Sequence, residues 1–90
     1  MKNPAEMPRK LGIIAGSGLL PVKVAAAARA AGRGVFIVGL EGFADPGVLA
    51  SWPHEMRRLG AASRIIAALR ENGCQDLVMI GPVRRPQAAA

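Results

Sequence analysis

Ninety residues with twelve Lys and Arg against six acids, a net charge of +6, fit one small basic domain. The hydrophobic share is 51%, but 17 of those residues are alanine and three are aromatic, so the core must rest on a short set of Ile, Leu and Val. Cys74 is the single cysteine, which excludes an internal disulfide and a cysteine-based metal cluster, and no apolar run has the length of a membrane span.

Residues 1–9 read as a disordered arm: polar, holding Pro4 and Pro8, and without the apolar stretch of a signal peptide. Leu11-Gly12-Ile13-Ile14-Ala15 follows, a compact apolar run closed by Gly16-Ser17-Gly18, as in a parallel strand buried on both faces. Over 19–31 the period changes. Leu20, Val24, Ala27, Ala28 and Ala31 recur at three and four, which predicts an amphipathic helix facing inward through them, with Lys23 and Arg29 off that face. Pro21 suits the first turn, and Gly32 supplies the stop.

A second buried strand is expected over 35–39, completing a βαβ unit with a right-handed crossover. Asp45-Pro46 is a helix-start signal for one short turn through Ala50, and 55–59 reads as a brief edge strand. The segment 61–72 is the second clear helix, with Ala62, Ile65, Ile66 and Leu69 on its inner face and Gly73 at its end. Residues 77–81 form a third buried strand closed by Gly81, and 87–90 a frayed tail.

The fold class is therefore α/β: a Rossmann-like open parallel sheet over 10–86 with three main strands in order 2-1-3 and flanking helices. Three strands leave sheet edges uncovered, and the chain stops where a further helix should begin. It reads as a fragment or a truncated reading frame, or as one that borrows a partner to close its core.

Gly16-Ser17-Gly18 is the strongest functional signal, because backbone N–H groups between a strand end and a helix start favour an anion. It is not the dinucleotide fingerprint, since Pro21 stands where the third glycine belongs. Glu41 lies where a ribose-binding acid would, but a stand-alone Rossmann-type nucleotide-binding module remains the weaker reading. Against the anion site stands a plain tight turn that needs glycine for its backbone alone. After the third strand, Arg84 and Arg85 offer planar forks for a phosphate facing that loop, or a merely solvated pair.

His54 reads as a surface-loop residue, Cys74 as packing, Asp76 as the residue leading into a strand, and Arg57-Arg58 as a solvated charge pair. Charge alone would allow a small nucleic-acid-binding protein, but aromatics to stack bases are too few, and no nucleic-acid partner is expected. No paired catalytic carboxylates or metal-ligand spacings are visible.

Four stretches together carry a resemblance. Lys10-Leu11-Gly12-Ile13-Ile14-Ala15-Gly16-Ser17-Gly18-Leu19-Leu20-Pro21 is very similar to the opening of the UDP-2,3-diacylglucosamine pyrophosphatase family of lipid A biosynthesis. Gly42-Phe43-Ala44-Asp45-Pro46, Leu59-Gly60 with Ile65-Ile66 and Leu69, and Gly81-x-Val83-x-Arg85-Pro86 resemble it in the same order. The departure is Pro82, where the family usually carries a polar residue.

The resemblance implies the Rossmann-like amino-terminal domain of a two-domain cytoplasmic hydrolase with access to the inner membrane leaflet. Its activity would release UMP from UDP-2,3-diacylglucosamine and leave 2,3-diacylglucosamine 1-phosphate. It also implies a divalent metal, Mg2+, and catalytic acids in a carboxyl-terminal domain absent from this chain, so that the chain alone is expected to be inactive. Carried onto this sequence, the positions expected to touch substrate or phosphate are Gly16, Ser17, Gly18, Leu19, Gly81, Val83 and Arg85.

Overall fold

A computed structural model describes residues 9–81. The order along the chain is β1 (Leu11–Ala15), α1 (Leu20–Ala30), β2 (Val35–Leu40), α2 (Pro46–Leu49), β3 (His54–Arg57), α3 (Ala62–Glu71) and β4 (Asp76–Ile80). One four-stranded sheet has the order β3-β2-β1-β4. All its pairings are parallel, with Ile13 beside Ile37 on one side and Val78 on the other. The expected order of the second, first and third strands is present as β2-β1-β4. The sheet gains a fourth member because the 55–59 edge segment, shifted to His54–Arg57, pairs in register with β2.

Burial follows the strand alternation. Leu11, Ile13, Ala15, Val35 and Ile37 form one core cluster with Ala25 and Ala28 of α1 and Leu49 of α2. Phe36, Val38 and Leu40 form a second with Ile65, Ala68 and Leu69 of α3. Helices therefore cover both faces of β2, which explains its unbroken apolar run and its full burial. Leu69 lies directly over β1 at Gly12, where a Cβ would stand 2.8 Å from Leu69 Cδ2. A larger residue there would force Leu69 and Leu77 to shift.

Three packing expectations are corrected. The buried face of α1 is Pro21, Ala25 and Ala28, while Leu20, Ala27 and Ala31 are exposed. The two faces differ by a small rotation, and a helix so rich in alanine offers little hydrophobic contrast between them. On α3 the buried residues are Ile65, Ala68 and Leu69; Ala62 is exposed and Ile66 only half-buried. β4 is not a buried strand: Leu77, Val78 and Met79 are 44%, 37% and 58% exposed. It is the sheet edge, and the main contacts of α1 and α3 run to the other three strands.

Polar contacts close the amino-terminal end of the sheet. Arg9, expected in a free arm, donates from Nε to Asp76 Oδ1 at 2.9 Å and from Nη2 to the Gln75 carbonyl. Arg33 Nη2 donates to Asp76 Oδ2, so one carboxylate ties the chain start and the α1–β2 turn to β4. Asp45 caps α2 as its position suggests, accepting from the Gly47 amide at 2.8 Å. His54 begins β3 and is not in a loop; its Nδ1 lies 2.8 Å from the Trp52 carbonyl oxygen.

Candidate functional site

Four parallel strands put their carboxyl ends on one edge of the sheet, where Gly16, Glu41, Arg58 and Gly81 are the first residues beyond the strands. From β1 the chain moves outward to β2 and β3, then returns to the opposite side of β1 as β4. The topological switch point therefore lies between β1 and β4, where open α/β sheets bind ligands. Gly16-Ser17-Gly18 and Gly81 flank that point.

The two segments touch. Gly16 N–H donates to the Ile80 carbonyl at 2.8 Å. Gly81, at φ +98°, lies so close to the turn that a Cβ would stand 2.7 Å from the Ser17 carbonyl oxygen. The Gly16 amide is thus committed to β4 and is not open to a ligand, which corrects, for Gly16, the expectation that the amides of this loop favour an anion. Gly18, Leu19 and Leu20 fit that expectation better, because their amides have no acceptor among the described residues. Gly18 has φ +88° and open space around a hypothetical Cβ, and Leu19 is 57% exposed at the start of α1, which no side chain caps. These amides at an uncapped helix start offer hydrogen bonds and a favourable dipole to an anion. Val83 and Arg85, like Arg84 and Pro82, lie outside the described residues.

A cavity of about 660 Å³ occupies the other half of the same edge. Glu41, Met56, Arg57, Arg58, Gly60, Ala61 and Arg64 line it. Arg57 donates from Nη2 to Glu55 Oε1 at 2.5 Å, and Arg58 Nε stands 3.9 Å from Glu41 Oε1. Arg57-Arg58 is therefore part of a cavity wall and not simply a solvated pair. Sequence reading missed the site because its parts come from three elements, β2, β3 and α3. The visible signal was the placement of Arg57, Arg58 and Arg64 on either side of Gly60, just before the helix.

Cys74 packs beside the α3 cluster, as expected, and burial pushes its thiol pKa up despite the opposing charge of Lys10. Among the described residues no three of His, Cys, Asp and Glu come together to hold a metal ion, and these residues do not fit the Mg2+ that the resemblance implies. No helix among them is long and apolar enough to cross a membrane.

A family model described as the LpxI N-terminal domain matches residues 10–90. The UDP-2,3-diacylglucosamine pyrophosphatase LpxI of Caulobacter vibrioides is 43% identical over 82 residues, which cover 91% of this chain and 29% of that protein. The chain thus spans under a third of the length of this curated relative. With the family model matching nearly all of it, the chain belongs to the LpxI N-terminal domain family.

Proposed function

We propose that this chain is the phosphate-side domain of a UDP-2,3-diacylglucosamine pyrophosphatase, a cytoplasmic hydrolase of lipid A biosynthesis that works at the inner membrane leaflet. The activity converts UDP-2,3-diacylglucosamine to UMP and 2,3-diacylglucosamine 1-phosphate. The 43% identity to a relative bearing that name carries the reading. The parallel strand ends supply the physical reason, since the Gly18 and Leu19 amides and the switch point beside Gly81 suit one phosphate of a diphosphate.

Hydrolysis of a diphosphate needs its charge neutralised, its leaving group held and a water activated. The described residues offer donors for the first. They offer no constellation of carboxylates for the third. The catalytic acids and the ligands of Mg2+ would then come from the carboxyl-terminal part of the family's longer proteins. In solution the test is direct. The purified chain, with or without Mg2+, should not hydrolyse UDP-2,3-diacylglucosamine, and adding the relative's carboxyl-terminal part should restore turnover. Gly18→Val should then damage that turnover by filling the space beside the loop amides. Hydrolysis by this chain alone, or full activity of Gly18→Val, would overturn the assignment.

A further inference from the structure

We infer that the arginine-lined cavity at the carboxyl ends of β2 and β3 is a second anion site, built for a phosphate or diphosphate group. It is separate from the Gly16–Leu19 loop and stands whether or not that loop holds a ligand.

Three guanidinium groups, from Arg57, Arg58 and Arg64, face a lining that contains one carboxylate, Glu41. Glu41 opposes an anion, and Arg58, 3.9 Å away and largely exposed, offsets its charge only in part. Arg64 makes no ion pair among the described residues, so its charge is available. Arg57 is anchored through Nη2 to Glu55, while its Nε is buried and has no acceptor. Such a donor is satisfied when the side chain turns toward an anion in the cavity. Planar guanidinium forks match phosphate oxygens in pairs.

Backbone groups add to the side chains. α3 begins at Ala62 beside the cavity, with no side-chain cap on Ala61 and no acidic residue in its first turn. The amides of Ala62 and Ser63 have no acceptor among the described residues. A ten-residue helix thus starts, with the positive end of its dipole, beside the cavity that the three arginines line. The volume of about 660 Å³ lies within the range of sites for small organic ligands, so the phosphate can be free or carried on a nucleoside.

Isotope-labelled chain titrated with inorganic pyrophosphate, and separately with UMP, tests the inference by backbone amide shifts at constant ionic strength. Saturable shifts are expected at Gly60 to Arg64 with either probe. Tighter binding of UMP assigns the site to nucleoside-borne phosphate, and equal binding assigns it to the phosphate alone. Arg58→Ala and Arg64→Ala should each weaken binding about tenfold, the size of one lost charge-assisted hydrogen bond. Both side chains lie on the surface, and Arg70→Ala, near the other end of α3, should bind as the parent does. Unchanged affinity in Arg58→Ala and Arg64→Ala would overturn the site. Shifts confined to Gly16–Leu19 would also remove it while leaving the pyrophosphatase reading intact.

Discussion

Gly81 rests against the backbone of Ser17, so closely that a methyl group in place of its hydrogen would stand 2.7 Å from the Ser17 carbonyl oxygen. That contact joins the end of β4 to the turn after β1 and fixes the geometry of the switch point. Gly81→Ala must relieve a clash with main chain and also hold an L side chain at φ +98°. A loss of about 2–4 kcal/mol is expected from the two effects together. Gly18→Ala carries the backbone strain alone, because open space surrounds its Cβ position, and should lose only about 1–2 kcal/mol. Urea unfolding of the two variants measures the difference, and equal losses would mean that the Gly81 contact is not formed.

The two ends of the apolar scale in this sheet predict opposite outcomes for truncation. Ile13 is fully buried at the centre of β1, so Ile13→Ala should destabilise by about 2–5 kcal/mol. Met79 is 58% exposed on β4, and Met79→Ala should change stability by less than about 1 kcal/mol. Thermal melts of the pair check this. A large loss at Met79 would show that another surface covers β4 in solution.

Arg29 lies on the solvent side of α1, yet its guanidinium stands 3.9 Å from the centre of the Trp52 ring. Stacking of this kind at an exposed site is worth about 0.5–1 kcal/mol. Arg29→Ala should lose that amount. It should also change the emission of Trp52, the single tryptophan, while leaving turnover of a reconstituted enzyme unchanged. An unaltered emission spectrum would count against the stacked geometry.

Strands β1 and β2 were legible because unbroken runs such as Val35-Phe36-Ile37-Val38 fit only a strand covered on both faces. Asp45-Pro46 disclosed α2 by local chemistry alone. The face of α1 was not legible, since alanines occupy both possible frames and burial is decided by the sheet beneath. β4 looked buried because Leu77-Val78-Met79-Ile80 is as apolar as β1; exposure there depends on sheet order and helix placement, which composition does not encode. In the candidate site, glycines named the loop, but the loss of the Gly16 amide to Ile80 depends on the β1–β4 pairing. Arg57, Arg58 and Arg64 become one wall only when β3 pairs with β2 and α3 starts beside them.

The last prediction concerns Cys74, whose half-buried thiol sits between the end of α3 and the start of β4. Burial disfavours the thiolate and raises the pKa above the ordinary 9.0, while the positive charge of Lys10 works in the opposite direction. Alkylating and disulfide reagents are attacked by the thiolate, so at about pH 8 the folded protein should react more slowly than the urea-unfolded chain. The midpoint of rate against pH should also lie above 9.0 in the folded state. Lys10→Met removes the opposing charge and should slow the reaction further. The same shift sets the sign of a stability effect. The folded thiol keeps its proton at a pH where the unfolded thiol has lost it, so over that range the unfolded state binds fewer protons. Stability should therefore be indifferent to Cys74 well below its unfolded value of 9.0 and decline as pH rises past it. Cys74→Ala should remove that part of the alkaline decline. Equal reaction rates in folded and unfolded chain, or an alkaline decline unchanged by Cys74→Ala, would show that solvent reaches the thiol freely and that it does not pack against α3.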